Sequence, residues 1–295
     1  MPVGLGPLPA LHPVSGFRLG IASAGIKRVG RKDVVVMEAA QGSSIAGVFT
    51  RNAFCAAPVT LCRQRLTSSP QYLLVNTGNA NAGTGETGLR DARASCSELA
   101  KQAGVNAEEV LPFSTGVIGE PLPMERLLAG FAPALKDLAD DSAAWQHAGQ
   151  GILTTDTRAK GATVTVDIGD QQVTINGIAK GSGMIKPNMA TMLGFVVTDA
   201  AIEASLLDRL LRDTVDRSFN CITVDSDTST NDACMLAATG TGARISDETQ
   251  IAAFSNALQR VMTELAQAII RDAEGATKFV TLQVGEAQSR QEALD

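Results

Sequence analysis

A hydroxyl residue that follows a small residue at the head of an apolar strand, behind a glycine-rich turn, can become a nucleophile by freeing itself from the chain before it. Thr191 is placed in this way. The stretch 177–199, GIAKGSGMIKPNMATMLGFVVTD, opens as a strand and passes through the turn Lys180-Gly181-Ser182-Gly183. It then runs through Pro187, Asn188, Met189 and Ala190 into Thr191, and Leu193 to Val197 form a second apolar strand. A cut between Ala190 and Thr191 would give Thr191 a free α-amine to act as general base for its own hydroxyl. The ordinary pKa of such an amine, about 7.7–8.0, suits proton transfer near neutral pH. The same pattern also fits a plain glycine loop between two strands with a Thr at the strand start, which is the commoner occurrence. Histidine usage bears on the choice. The chain has two, His12 in a proline-rich lead and His147 in a polar stretch near Trp145. Neither recommends itself as the carboxylate-oriented base of a Ser-His-Asp arrangement, which favours a nucleophile that brings its own base.

Other residues could serve such a nucleophile. Ser114-Thr115-Gly116 stands ahead of a helix, where one hydroxyl and one amide could face a developing oxyanion, although such a pair is more often a simple loop. Lys180 could hold a carboxylate as a point charge, and Glu274, at a helix end before Gly275, could take an amine. A solvated surface charge is the alternative for each. Thr154-Thr155-Asp156-Thr157 reads as a polar strand end or helix cap. The Asn76–Gly85 loop offers backbone amides, but a tight Asn/Gly turn before a helix explains it at least as well, and no phosphate-loop Lys-Ser/Thr follows. The run from Asp225 to Asp232 lacks the closing Glu of a calcium loop, so a polar turn near the site is expected.

The positioning elements follow from periodicity. Asp33–Glu38 and Ser44–Thr50 read as strands around the turn Gln41-Gly42-Ser43, and Tyr72–Asn76 as another. Leu89 to Gln102 lie in a helix, and a second helix carries Met124, Leu127, Leu128 and Phe131. Ala162–Ile168 and Gln171–Ile178 alternate in period two around Gly169-Asp170, which predicts a hairpin. Ala201 to Phe219 predicts a helix whose Leu207, Leu210, Leu211 and Val215 form one stripe. Cys221–Val224 reads as a short strand. A long helix from about Asp247 carries Ile251, Phe254, Leu258, Val261, Met262, Leu265 and Ile269 on one face and ends near Glu274-Gly275, and Phe279–Val284 returns to strand. Strands come both alternating with helices and as adjacent hairpins, which favours α+β layers over a doubly wound sheet.

The composition narrows the function classes. A chain of 295 residues can bury a large core as one or two domains, with 44% hydrophobic and only 4% aromatic residues. A net charge of −6 without a basic run argues against a nucleic-acid surface. No apolar stretch is long enough to span a bilayer. The lead MPVGLGPLPALHPVSGF lacks a charged region and carries too many prolines for a signal peptide. Five scattered cysteines suggest reduced thiols, and a cytoplasmic location is expected.

The segment from Lys180 to Leu193, KGSGMIKPNMATML, resembles the processing and nucleophile segment of ornithine acetyltransferase, the bifunctional glutamate N-acetyltransferase family of arginine biosynthesis. Further blocks resemble the family in order along nearly the whole chain: Gly25-Ile26-Lys27, Ala46–Thr50, Asn76–Asn81, Ser114-Thr115-Gly116, Thr154–Thr157, Asp227–Asp232 and Glu274–Lys278. The resemblance implies an α/β/β/α sandwich of the DmpA aminopeptidase and ornithine acetyltransferase type, convergent with N-terminal-nucleophile enzymes. It implies self-cleavage at Ala190-Thr191 into an α chain, 1–190, and a β chain, 191–295, assembled as a heterotetramer of two of each. It further implies that acetyl moves from N2-acetylornithine to glutamate by a ping-pong route through an acetyl-Thr191 ester. Thr115 and Gly116 match the family's oxyanion pair, and Thr154, Lys180, Thr191 and Glu274 match its substrate contacts. No cofactor or metal is implied, although acetyl-CoA is a conceivable donor. Family members continue past the position of Asp295 with a segment that brings an Asn and a Ser or Thr to the site, so this chain is expected to be C-terminally incomplete and to lack both. The competing expectations are an amidohydrolase or aminopeptidase with the same nucleophile, and a non-catalytic remnant that binds amino acids.

Overall fold

The fold is that of a computed structural model, which describes residues 2–186 and 192–294. The expected junction at Ala190 and Thr191 lies outside the described residues. In chain order the elements are β1 (Phe17–Ala22), β2 (Val34–Ala39), β3 (Ser44–Phe49), α1 (Ala57–Arg65), β4 (Tyr72–Asn79), α2 (Gly85–Ala103) and β5 (Val110–Val117). There follow α3 (Met124–Ala129), α4 (Phe131–Lys136), α5 (Ser142–Gly151), β6 (Lys160–Ile168), β7 (Gln171–Lys180) and β8 (Leu193–Thr198). The chain continues with α6 (Ala204–Asp216), β9 (Ala233–Ala238), α7 (Glu248–Arg271) and α8 (Arg290–Leu294).

Two sheets form, one in the order β1-β2-β4-β5 and one in the order β3-β9-β8-β7-β6. Pairing is antiparallel except for β4 with β5 and β8 with β9. The near-continuous apolar runs of β2, β4 and β8 have a simple cause: both of their faces are covered. Leu73 and Val75 of β4 point into the space between the sheets, against Phe195 and Val197 of β8. Tyr72 and Leu74 point the other way, onto α2, α3 and α4. On the far side, Val196 meets the stripes of α6 and α7. Phe113 and Phe195 meet edge to face across the sheets, ring centres 5.1 Å apart. The result is an α/β/β/α sandwich, the layered α+β arrangement expected.

The hairpin of β6 and β7 and the buried stripe of α6 (Leu207, Leu210, Leu211, Val215) form as the periodicity predicts. Asp247 caps α7 reciprocally with Gln250. Other expectations need correction. β2 and β3 flank one turn but belong to different sheets, because β2 is taken between β1 and β4 while β3 pairs with β9. The helix carrying Met124 and Phe131 breaks at Gly130, where a Cβ would sit 3.0 Å from both Ala24 and Val34 side chains. Cys221–Val224 is not a strand; a 3₁₀ turn at Phe219–Cys221 runs into irregular chain. α6 is shorter than 201–219, and α7 ends at Arg271, leaving Glu274 in the following turn. Phe279–Val284 pairs with no strand among the described residues, and its Leu282 is 87% exposed. The proline-rich lead packs onto the core: Leu11 and Val14 are buried between the sheets, and the His12 carbonyl accepts from the Asn176 side chain.

Candidate active site

β4 and β5 run parallel to their ends, so Thr77 stands beside Thr115 and Gly78 beside Gly116. The approach is so close that a Cβ on Gly116 would lie 2.3 Å from the Gly78 carbonyl carbon. Gly116 also has φ +138°, so a side chain there is excluded on both counts. The asparagines of the following loop are occupied by structure. Asn76 donates to the Asn79 carbonyl, Asn79 to the carbonyls of Glu120 and Pro121, and Asn81 to that of Gly88. Asn231, from the segment before β9, donates to the carbonyls of Ala80 and Ser114 and ties this loop to the second sheet. The asparagines of the loop thus scaffold Thr115 and Gly116, as the turn reading expects, while Gly78 of the same stretch lines the cavity described below.

From the second sheet, Lys180 closes β7. It is 3% exposed, and its ammonium donates to Thr115 Oγ1 at 3.2 Å. That leaves the Thr115 hydroxyl proton free to point elsewhere. Behind Lys180 lies a buried network that no spacing announced. Lys160 bridges Asp156 at 2.6 Å and Asp272 at 2.7 Å with all three side chains out of solvent. Asp156 also accepts from the amides of Gly181 (2.7 Å) and Thr154 (3.1 Å), and Asp272 from those of Thr157 (3.0 Å) and Arg158 (3.1 Å). The loop carrying Thr154 is thereby clamped between the start of the Lys180 turn and the end of α7. Arg31 completes the clamp by donating to the Leu153 and Thr154 carbonyls.

Glu274 reaches the same turn: its amide donates to the Ser182 carbonyl at 2.7 Å, and its carboxylate lies 3.4 Å from Ser182 Oγ. Asp225 holds the next turn by accepting from the Met184 and Ile185 amides at 2.6 and 2.9 Å. Around these elements opens a cavity of about 420 Å³. Thr115, Gly116, Thr154, Lys180 and Glu274 all line it. Thr191 lies outside the described residues; its neighbour Met192 is buried, and the Met192 amide donates to Asp232 Oδ1 at 2.9 Å. Sequence reasoning assigned no role to Lys27, Arg28 or Arg31, which line the cavity from the loop before β2. That loop is pinned by buried Asp33, which accepts from the Ala24 and Ile26 amides at 2.6 Å. The Gly25-Ile26-Lys27 block was the available signal.

The electrostatics are those of a site closed to water on one side. Burial alone would raise the Asp156 carboxyl, but Lys180, Lys160 and the Gly181 amide outweigh it and hold the group at about 2. Burial lowers the pKa of Lys180, opposed by Asp156. Asp232 is pushed up to about 8 by burial, despite the Met192 amide, Ser229 and Lys180. A fixed donor pair, a buried cation and an acidic group opposite can bind a small zwitterion and stabilise an oxyanion.

Residues 18–295 match the model of the ArgJ family. The arginine biosynthesis bifunctional protein ArgJ of Pseudomonas syringae pv. tomato is 57% identical over 300 residues, which span 100% of this chain and 73% of that protein. Among solved structures, the ornithine acetyltransferase of Mycobacterium tuberculosis complexed with ornithine is similar with TM-score 0.53 and 33% identity, covering 61% of this chain and 96% of that one. A Burkholderia sp. β-aminopeptidase shares the fold, with TM-score 0.51 at 15% identity over 90% of this chain and 89% of that one.

Proposed function

The chain belongs to the ArgJ family, and on that premise we propose that it is an ornithine acetyltransferase of arginine biosynthesis, moving acetyl from N2-acetylornithine to glutamate. The observation that carries this reading is the convergence of Thr115, Gly116, Thr154, Lys180 and Glu274 on one cavity. They come from two sheets and two loops, and the strand that leads out of Thr191 starts beside them.

The cycle begins with the chain itself. The Thr191 hydroxyl attacks the Ala190 carbonyl, the peptide nitrogen leaves as the Thr191 amine, and water hydrolyses the resulting ester to leave 1–190 and 191–295. In turnover, that amine takes the proton from the Thr191 hydroxyl as it attacks the acetyl carbonyl. The Thr115 hydroxyl and the Gly116 amide receive the oxyanion, and ornithine departs with a proton on its nitrogen. The glutamate amine then attacks the acetyl-threonine ester and restores Thr191. One amide replaces another, so no ATP is consumed. Lys180 offers its positive charge to the α-carboxylate common to both substrates, and Glu274 takes the ornithine side-chain amine. Acetyl-CoA is a second donor in this reading, and the cleaved chains assemble as two α and two β.

Intact-mass measurement of the expressed protein should show two pieces, and N-terminal sequencing of the smaller should begin at Thr191. A different first residue sinks the mechanism. Purified protein given N2-acetylornithine and glutamate should form N-acetylglutamate; release of free acetate instead would make water the acceptor. Glu274→Gln should raise KM for N2-acetylornithine roughly 10–100-fold, the worth of a charged hydrogen bond, with kcat little changed. An unchanged KM would return Glu274 to the role of a loop residue.

A further inference from the structure

One buried ionisable group beside the site has no part in the cycle above. Asp232, just ahead of β9, is 1% exposed. Its Oδ1 accepts the Met192 amide, while its Oδ2 is buried without a hydrogen-bond partner among the described residues. A small void of about 10 Å³ is bordered by Asp232, Thr115, Lys180, Met192, Ser229 and Asn231. The carboxyl therefore touches the residue that follows Thr191 and shares a void with both the buried lysine and the oxyanion hydroxyl.

We propose that Asp232 is the positioning residue of the cleavage junction: a neutral, buried carboxyl that holds the Met192 amide in register and leaves Lys180 to donate to Thr115. The inference rests on the reading of Thr191 as the nucleophile. An unpartnered carboxylate oxygen out of water is strongly disfavoured, and a carboxylic acid at the same place is not. Burial accordingly pushes the group up to about 8. Ionisation would place a negative charge next to Lys180, drawing its ammonium away from Thr115. That effect opposes the reaction. Among the described residues the charged group acting on Asp232 is Lys180 from β7, and Lys180 is faced in turn by Asp156, by Lys160 of β6 and by Glu274 beyond α7.

Cleavage isolates this effect, because the Thr191 α-amine does not exist until the chain is cut. The experiment refolds uncleaved chain from insoluble material at pH 6 to 10 and follows cutting on gels, for the wild type and for Asp232→Asn. The Asn variant keeps an uncharged acceptor for the Met192 amide. The wild-type rate, taken relative to Asp232→Asn, should fall about tenfold between pH 7 and pH 9, as a group titrating near 8 requires. Parallel profiles overturn the proposal. If Asp232→Asn does not fold, the wild type decides alone, and a rate that shows no falling limb above about pH 8 overturns it.

A second measurement needs no cleavage. On the Thr191→Ala background, urea unfolding is followed from pH 4 to 8 with and without Asp232→Asn. The folded carboxyl holds its proton where the unfolded one has lost it, so stability should fall as pH rises across this window. The Asn variant should lack that slope, and an equal slope in both proteins overturns the neutral carboxyl. A wild-type chain that never cuts at any pH, yet shows the slope, would instead refute the Thr191 reading and with it the role at the junction.

Discussion

Thr191→Ala should yield an intact 295-residue chain that transfers no acetyl group. In the proposed cycle one hydroxyl attacks twice, first the Ala190 carbonyl and later the acetyl carbonyl, so its removal should abolish both events together. Thr191→Ser keeps the hydroxyl and should still cut, at an altered rate. Intact mass and an acetyl-transfer assay on the same preparation make the check. Residual transfer by Thr191→Ala would require another nucleophile, and the scarcity of histidine leaves few bases to activate one. Cutting without Thr191 would move the junction elsewhere.

Thr115→Ala should lower kcat for acetyl transfer by roughly 10²–10³, or about 3–4 kcal/mol, with a smaller change in N2-acetylornithine binding. A donor aimed at the oxyanion acts chiefly in the transition state. The structure adds a second expectation. Lys180 donates to Thr115 Oγ1 at 3.2 Å, so the alanine also strands a buried ammonium. Leaving a buried donor unmade costs about 1–3 kcal/mol, and the variant should unfold at lower urea. Thr115→Ser restores both the oxyanion donor and the acceptor for Lys180, and should recover most of the rate and the stability. Cleavage passes through a tetrahedral oxyanion too, so it should slow in Thr115→Ala if one pair serves both steps. Steady-state kinetics on the mature enzyme, with cutting followed separately on gels, resolves these effects. An unchanged kcat with a raised KM would make Thr115 a substrate contact only.

What could be read before the structure was local. The stripe of α6, the apolar face of α7 and the β6–β7 hairpin rest on contacts between residues close in sequence, and periodicity reports such contacts directly. The site residues stood out for a different reason. Thr115, Gly116, Thr154, Lys180 and Glu274 read individually as loop or surface positions, and only the resemblance of their surrounding blocks to one family singled them out. The correction at Phe279–Val284 shows the limit of pattern. Alternating β-formers are suited to a strand, but a strand exists only where another edge accepts its backbone bonds, and nothing within a six-residue run states whether one is present.

The sequence by itself therefore determined elements only where a local period marks them, as in α6, α7 and the β6–β7 hairpin, and, through the blocks from Gly25 to Lys278, which chemistry to expect. The tertiary structure alone decided which charges share a site. Lys160 meets Asp272 across 112 positions, Arg31 fastens the Thr154 loop across 123, and Met192 meets Asp232 across 40. It also decided that β2 and β3 part company at one turn, which places the Thr115 strand and the Lys180 strand in different sheets that face each other. The physical reason is common to all of these. Partners brought together by closing long loops leave no periodic trace along the chain, and burial, which raises the pKa of Asp232 and lowers that of Lys180, is a property of the packed layers and not of any segment.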